Sequence, residues 1–406
     1  MCKINAPIRA TSKLIALMVA VLILSISFVG CADNDESSST AATTTTTTTT
    51  AQTEEPPPPE PQPDSVVRIV AAGDNLIHSS IYNRAKRVGE NGGYNFDFPY
   101  EQILDYISVA DLAILNQETI VNDVFEPSSY PLFSSPVDLG EKMLSMGFNA
   151  FSIANNHVID KGERGLIATL DYWDSKDVPV VGAYRDEEDM NNIRTKTING
   201  ITFSFLGFME HTNGLSLPES SPCKIIYTHD INGMKNQVEL AREVSDVVIV
   251  NIHWGVEVSN TITDQQRSLA QDLVNWGTDI IIGTQPHTVQ SMQYLKKPSG
   301  DDAFVFYCLG NFISAMSNPK AMVGMLADFN VVKNGDSGKI TIEDVKAIPL
   351  ITQFEANYRD ARIIPYSNYT QELANLHGLR YSNGFTMDLV NTIIDENIPE
   401  EFLFIE

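Results

Sequence analysis

The sequence is poor in cysteine and in basic residues. Only four cysteines occur among 406 residues, and no two of them form a CxxC pair. That spacing is not that of a zinc knuckle or of a thioredoxin-like redox motif. Lysine and arginine number 27 against 52 aspartates and glutamates, which gives a formal charge of -25. Because nucleic-acid binding requires a basic face, this balance excludes a nucleic acid as the partner.

Two of the cysteines leave an alternative open. Cys308 lies inside the apolar run 303–309, where a small buried hydrophobic side chain is the favoured interpretation. A Cys223–Cys308 disulfide is the alternative in an oxidising compartment, and the sequence does not decide between the two.

The N-terminus has the features of a bacterial export signal. Three basic residues and no acidic one precede an apolar run at 14–29, which predicts a signal peptide at 1–30. The run ends at Gly30-Cys31 and resembles a lipobox, in which cleavage precedes a lipid-modified cysteine. Phe28 stands where that motif usually has leucine. The alternative is an uncleaved anchor ending near Cys31. Both place the rest of the chain outside the cytoplasmic membrane, and we expect a lipid-anchored protein.

Residues 31–64 are predicted to be a disordered linker. They contain a threonine run and a proline-rich end, and they cannot bury enough apolar surface to offset chain entropy. From residue 65 to about 365, apolar runs alternate with amphipathic segments, as in layered α/β folds. The run 179–184 predicts a strand, and Asn199-Gly200 predicts the turn of a hairpin. Later runs lack intervening helices and predict antiparallel strands. We expect two packed sheets with helices outside, followed by a weakly patterned C-terminal extension at 366–406.

Five apolar runs each end in polar side chains: 66–74, 112–118, 150–157, 247–255 and 279–287. In an open α/β sheet, ligands bind outside the carboxyl ends of the strands. Burying such groups unpaired costs about 1–3 kcal/mol each. The five ends therefore predict one shared polar site, most simply a metal centre.

Each polar residue alone also has a structural explanation. Asp74 is suited to a helix N-cap. Glu118 is compatible with a solvated strand end, and His253 with a core histidine bonded to a backbone carbonyl. If a helix begins at residue 75, His78 lies one turn from Asp74 and faces the same site. Their joint occurrence at successive strand ends favours the functional interpretation.

Several motifs occur together in one order along the chain: Gly73-Asp74, Asn116-Gln117-Glu118, Asn155-Asn156-His157 with Asp160, His253-Trp254-Gly255 with Glu257, the segment 283–290, and Asn311 within 309–312. They resemble the capsule synthesis protein CapA family, also called the poly-γ-glutamate capsule biosynthesis family. Its domain belongs to the calcineurin-like metallophosphoesterase group. The similarity spans about residues 66–312, and it implies a four-layer αββα sandwich around a two-metal site.

The resemblance also implies a role for each matching residue. Asp74 and His287 would hold the first ion, with His78 as a further candidate ligand, and Glu118 would bridge both ions. The second ion would be held by Asn156 and His253, with Gln285. His157 would be the general acid, with Asp160 beside it. The supporting residues would be Asn116, Asn155, Glu257 and Asn311. Ligands without a thiolate suit manganese, iron or zinc.

Two positions depart from the family pattern. The family usually has His-Pro-His where this chain has Gln285-Pro286-His287. An amide oxygen is a weaker donor to a transition metal than imidazole, so we expect the second site to be weak or to prefer a harder ion. Gln117 replaces an apolar residue, and we expect it to alter only packing.

Two functions remain open at this stage. The first is a membrane-tethered hydrolase, phosphoesterase-like, that acts in the cell envelope in capsule or poly-γ-glutamate biosynthesis. The second is a non-catalytic lipoprotein that assists export or anchoring of an anionic polymer. A solute-binding lipoprotein fits the tether but not the polar strand ends. The expected partners are the membrane, through Cys31, and the envelope polymer or its synthesis machinery.

Overall fold

The computed structural model describes residues 61–405. The predicted signal peptide, the lipidation site Cys31 and the linker up to residue 60 lie outside the described residues. Within 61–405, no helix is both long enough and apolar enough to cross a bilayer.

The described residues form fourteen strands, in chain order: β1 (Ser65–Asn75), β2 (Leu112–Asn116), β3 (Ala150–Ser152), β4 (Val180–Val181), β5 (Arg194–Ile198), β6 (Ile201–Met209), β7 (Val247–His253), β8 (Ile280–Thr284), β9 (Val289–Lys296), β10 (Asp302–Leu309), β11 (Asn311–Ile313), β12 (Val323–Lys333), β13 (Ile340–Glu355) and β14 (Arg359–Pro365). The α-helices are α1 (Ser79–Val88), α2 (Asp97–Tyr100), α3 (Leu104–Ser108), α4 (Val137–Met146), α5 (Gly162–Asp174), α6 (Glu187–Asn191), α7 (Ile231–Val244), α8 (Asp264–Trp276), α9 (Gln371–Leu376) and α10 (Met387–Asn397).

The strands form two mixed sheets. The first has the order β14-β13-β12-β1-β2-β3-β4, with β11 paired to β1, and the second has the order β5-β6-β7-β8-β10-β9. Strands β1 to β4 run parallel, as do β6, β7, β8 and β10. The central strands read as continuous apolar runs because both faces of each sheet are covered. This parallel arrangement brings several carboxyl ends to one edge of each sheet.

The two sheets pack face to face with helices on their outer sides. Phe306 on β10 contacts Phe329 on β12 across the interface, with ring centroids 5.7 Å apart. Helix α5 covers the first sheet through Trp173, whose ring lies 4.3 Å from that of Phe151. Helices α7 and α8 cover the second sheet with buried apolar side chains. The predicted αββα sandwich is therefore confirmed.

Local boundaries differ from the sequence prediction in two places. Helix α1 begins at Ser79 rather than at residue 75, because Asn75 and Leu76 instead pair with Ile313 beside β1. The strand predicted at 179–184 shortens to Val180–Val181. The predicted hairpin around Asn199-Gly200 is confirmed as β5 and β6, and both turn residues have positive φ, 49° and 77°.

Residues 366–405 fold against the sandwich. The Ala347 backbone N–H donates to the Phe402 carbonyl at 2.7 Å, and the Phe402 ring lies 5.2 Å from that of Phe304. His377 is buried and stacks on Phe385 at 3.9 Å. Burial lowers the pKa of His377 to about 4, so the ring is neutral at pH 7 and serves the core.

Both cysteines in the described region are free and buried, so the alternative of a Cys223–Cys308 disulfide is not realised. Cys308 is completely shielded from solvent, and burial raises the pKa of its thiol well above the usual range. It acts as a small core side chain.

Candidate metal centre

The predicted ligands meet where strands of both sheets end. Asp74 lies near the end of β1, and Glu118 follows β2 by two residues. His253 is the last residue of β7, and His287 follows β8 by three residues. Residues 153–160, after β3, carry Asn156 and His157. The carboxylates of Asp74 and Glu118 are fully buried, which places the centre between the sheets rather than on the surface.

Four of these side chains converge closely. One ligand atom each from Asp74, Glu118 and His287 lie within 4.8 Å of one another. His287 Nε2 and His253 Nε2 each lie 3.7 Å from Glu118 Oε1. Asp74 Oδ1 is 3.9 Å from His253 Nδ1. Glu118 thus sits between two imidazoles that come from neighbouring strands.

The donor atoms of the cluster fit a divalent cation. Among the described residues, both Glu118 carboxylate oxygens, His253 Nε2 and Asn156 Oδ1 are buried without any hydrogen-bond partner. Leaving such groups unpaired costs about 1–3 kcal/mol each. Carboxylate, imidazole and amide donors together are the ligand set of manganese, iron and zinc sites. One or two cations held by these atoms would satisfy the buried groups that the protein itself leaves unpaired.

Crowding of charged groups shifts the pKa values at the centre. Burial and the nearby Asp74 charge raise the pKa of Glu118 well above its usual range. Burial disfavours the charged form of His287, but Glu118 and the hydrogen bond to Asp74 raise its pKa to about 10. Burial also opposes ionisation of Asp74, yet its contacts with His287 and His253 lower its pKa. Since ligands bind metals deprotonated, a cation would displace protons from this cluster.

The two ligand histidines are oriented by hydrogen bonds to one ring nitrogen each. His253 Nδ1 lies 2.9 Å from Thr284 Oγ1, and burial lowers the pKa of His253 to about 3. Its Nε2 faces Glu118 and has no hydrogen-bond partner, so it is the ring nitrogen that could hold a cation. His287 Nδ1 lies 3.0 Å from both Asp74 Oδ2 and Asn311 Oδ1. These contacts turn its Nε2 toward Glu118, as partners of metal-binding histidines do.

Amide side chains form hydrogen bonds to Asp74 and to the loops beside it. Asn116 donates to Asp74 Oδ1 at 2.6 Å, because the β1–β2 register places the two residues side by side. Asn155 donates to the Gln117 carbonyl at 3.0 Å and accepts from the His157 backbone N–H at 3.2 Å. Asn156 donates to Asn213 at 3.3 Å, which leaves its own Oδ1 unpaired.

His157 is fixed by a carboxylate and an aromatic ring. Its Nδ1 lies 2.8 Å from Asp160 Oδ2, which also accepts the Phe133 backbone N–H at 2.6 Å. The Phe133 ring meets the imidazole edge to face at 4.7 Å. With Nδ1 engaged, Nε2 is the ring nitrogen available for proton transfer to a bound substrate.

A cavity of about 350 Å³ opens beside the centre and is lined by His157 and His287, among others. His78 lines the same cavity but lies outside the group of three ligand atoms. Its Nδ1 accepts from the Ala315 backbone N–H at 3.1 Å, and burial lowers its pKa to about 4. Glu257 is exposed on the cavity wall. The structure thus places His78 and Glu257 in the wall of this cavity and outside the group of three ligand atoms.

The loop after β8 has an unusual backbone. Gln285 and His287 have φ values of 96° and 58°, a region that residues other than glycine rarely adopt. The backbone N–H of Gln285 lies 3.4 Å from Asp74 Oδ2, so the same loop brings both His287 and an amide to that carboxylate. Strained backbone of this kind concentrates at functional sites.

Sequence reasoning missed several contributors. Gln117 was expected to alter only packing, but this is wrong. It accepts from Asn75 Nδ2 at 2.7 Å and donates to the Thr119 carbonyl at 2.9 Å, which ties β1 to the loop carrying Glu118. Thr284 and Phe133 were also missed. Thr284 could have been found from its position beside His253 in parallel strands. Phe133 comes from a loop that no sequence pattern connects to His157.

Together the two sheets and the buried Asp/Glu/His cluster define an α/β sandwich with a candidate metal centre. The protein-family model described as bacterial capsule synthesis protein PGA_cap matches residues 68–316 of this chain. The chain belongs to this family, which confirms the resemblance found in the sequence.

Two curated relatives agree with that assignment. The capsule biosynthesis protein CapA of Bacillus anthracis is 26% identical over 279 residues, covering 65% of this chain and 66% of the relative. The PGA biosynthesis protein CapA of Bacillus subtilis (strain 168) is 29% identical over 192 residues, covering 47% of this chain and 49% of the relative. The matches span about two thirds and one half of those proteins.

Two solved structures resemble this chain distantly. A phosphatase from Mycoplasma pneumoniae has 13% identity and a TM-score of 0.43, with coverage of 70% of this chain and 94% of that one. A putative 5'-nucleotidase from Staphylococcus aureus has 12% identity and a TM-score of 0.42, with coverage of 71% and 55%. Likenesses this distant carry no information about the function of this chain.

Proposed function

We propose that this chain is a metal-dependent hydrolase of the phosphoesterase type that acts in capsule or poly-γ-glutamate biosynthesis. The observation that carries the proposal is the buried Glu118 carboxylate, both of whose oxygens lack partners while two imidazole nitrogens lie 3.7 Å away. A buried carboxylate in that setting is costly unless a cation neutralises it.

The residues divide into two groups by task. Asp74, Glu118 and His287 would hold one ion, and His253 and Asn156 would hold a second ion with Glu118 shared between them. A pair of bound cations would supply Lewis acidity at the scissile bond and an activated water. His157 would then donate a proton from Nε2 to the departing oxygen. Asp160, at 2.8 Å, would keep the ring in the orientation that this transfer requires.

The number of metal ions bound per chain tests this proposal. Native mass spectrometry of protein equilibrated with manganese should show about two ions per chain, the second bound more weakly because Gln285 supplies an amide. His253→Ala should lose the second ion, because it removes an unpaired ligand atom. His229→Ala, which changes an exposed histidine, should retain both. A wild-type chain without stoichiometric metal, or His253→Ala with unchanged content, would contradict the proposal.

A non-catalytic accessory role in polymer export or anchoring is the second candidate. The observation that favours it is Gln285, which offers an amide where imidazole is the stronger metal donor. If the second ion is not retained and the metal-loaded protein does not turn over a phosphodiester, this role replaces the hydrolase.

We also propose that Cys31 is lipidated and holds the domain outside the cytoplasmic membrane. The support is the basic and apolar pattern of residues 1–31. Cells expressing the wild-type chain and supplied with a radioactive fatty acid should yield labelled protein, whereas Cys31→Ser should remain unlabelled. Equal labelling of the two would reject the lipid anchor.

A further inference from the structure

We propose that a second anionic group of the substrate, a carboxylate or a phosphate, binds in a cavity adjoining the metal centre and lined by Arg87 and Arg359. This cavity has a volume of about 430 Å³. The inference rests on the proposed function, since the reacting group is placed at the metal centre. It deepens that function by naming the substrate class: a chain that carries an anionic group beyond the bond to be cleaved.

The two cavities are adjacent. The one at the metal centre and the one at the arginines share His78, Ala315 and Tyr358 in their walls. A linear substrate with its reacting group near His287 would place its next anionic group beyond His78 and Tyr358, on the side of the arginines.

The charge of this cavity is opposite to that of the chain. Its lining includes the guanidinium groups of Arg87 and Arg359 and no carboxylate. The chain as a whole has 52 acidic residues against 27 basic ones. A larger cavity elsewhere is lined by four carboxylates, those of Glu90, Asp97, Asp138 and Glu141, with one lysine. Positive charge beside the metal centre is thus a local exception that favours an anion over a cation.

Both guanidinium groups are available to a ligand. Among the described residues, Arg87 forms no ion pair. Arg359 pairs with Glu355 at 3.5 Å, and both side chains are more than 45% exposed. Exposed pairs of this kind contribute about 0–1 kcal/mol. An arriving carboxylate or phosphate can therefore displace Glu355, and it gains the paired N–H donors that arginine offers to such anions.

Helix α1 adds donors to the same cavity. Ser79 and Ser80, in its first turn, line the cavity, and Ser80 Oγ is buried without a hydrogen-bond partner. The N-terminus of a helix favours anions because its backbone N–H groups and dipole point toward them.

The turn that carries Arg359 is held in a fixed shape. Asn357, Tyr358 and Asp360 have φ values of 64°, 57° and 54°, which are uncommon for residues other than glycine. Asp360 pairs with Arg84 at 2.8 Å, and the Tyr358 ring packs 4.9 Å from that of Phe354. This turn lies beyond the family match at 68–316, so sequence similarity to the family does not supply it.

Binding to metal-free protein tests the cavity separately from hydrolysis. Protein treated with a chelator is titrated by calorimetry at low ionic strength with two probes: a γ-linked glutamate pentamer, which offers only carboxylates, and tripolyphosphate, which offers only phosphates. The double variant Arg87→Gln/Arg359→Gln is compared with Arg185→Gln/Arg380→Gln, which changes the net charge equally at arginines outside this cavity. Thermal denaturation of both variants verifies that they fold.

We expect at least one probe to bind the wild type and to lose about tenfold or more in affinity in the Arg87/Arg359 variant, as charge-assisted hydrogen bonds require. The control should stay within about twofold of the wild type, as expected for distant sites. Binding of the pentamer alone assigns the cavity to carboxylates, and binding of tripolyphosphate alone assigns it to phosphates. Failure of both probes, or equal loss in both variants, overturns the proposal. Because no metal is present, a protein that proves not to be a hydrolase can still pass this test.

Discussion

Replacing His157 with glutamine should lower kcat for hydrolysis of a dialkyl phosphodiester, whose alkoxide leaving group needs a proton, by about 10²–10⁴-fold, the usual contribution of a general acid. The reason is geometric: His157 lines the cavity beside the ligand cluster, and Asp160 engages its Nδ1 at 2.8 Å. Glutamine preserves a hydrogen-bonding group of similar length but cannot transfer a proton at neutral pH. Initial rates of the manganese-loaded enzyme measure the effect.

Two accompanying measurements make this result specific. The variant should keep the metal content of the wild type, because His157 is not among the ligand atoms that cluster within 4.8 Å. Bis(p-nitrophenyl) phosphate should be less sensitive to the substitution, since p-nitrophenolate departs without a proton. His229→Gln should behave as the wild type. An unchanged rate with the poor leaving group would show that His157 is not the acid.

Replacing Glu118 with glutamine should have opposite effects on the metal-free and the metal-loaded protein. Glu118 is fully buried beside Asp74, and both of its oxygens lack partners. In the presence of a chelator, removing this carboxyl group should leave Tm unchanged or raise it, because both of its oxygens are buried without a hydrogen-bond partner. With manganese at about 100 times Kd, the wild type should gain about 2.7 kcal/mol by mass action, while the variant gains little.

Thermal denaturation of the wild type and of Glu118→Gln, with and without manganese, measures these opposite effects on Tm. The expected gain corresponds to about 5 °C in Tm for a domain of this size. Glu257→Gln is the matched control, because it removes one carboxylate at the exposed cavity wall and leaves the cluster intact. That variant should retain the full stabilisation by manganese. If Glu118→Gln destabilises the metal-free protein by several degrees, the carboxylate serves the fold and not a cation.

Strand-end reasoning could predict much of the site because parallel strands have a simple geometry. Asp74 and Asn116 are neighbours through the register of β1 and β2, and His253 and Thr284 through that of β7 and β8. Polar residues that follow such apolar runs must come together at one edge. The two-sheet architecture followed from the same alternation of apolar runs and helices, together with the family resemblance.

Features that depend on contacts distant in sequence could not be predicted this way. Asn75 and Leu76 extend the strand region instead of starting a helix, because they pair with Ile313. Phe133 reaches His157 from a loop, and Tyr358 reaches the cavity from a hairpin more than 40 residues beyond the matched family region. The extension at 366–405 buries Val390, Ile393 and Ile394 of helix α10, and its Phe402 packs 5.2 Å from Phe304 across more than 90 residues of chain.

Crystals grown with manganese and measured near its absorption edge test the central claim most directly. We expect two anomalous peaks about 3.5–4 Å apart, the separation typical of two-metal sites, with Glu118 between them. One peak should lie against Asp74 and His287 and the other against His253 and Asn156. Manganese that is absent from this cluster, or that lies only at surface carboxylates, would contradict the account.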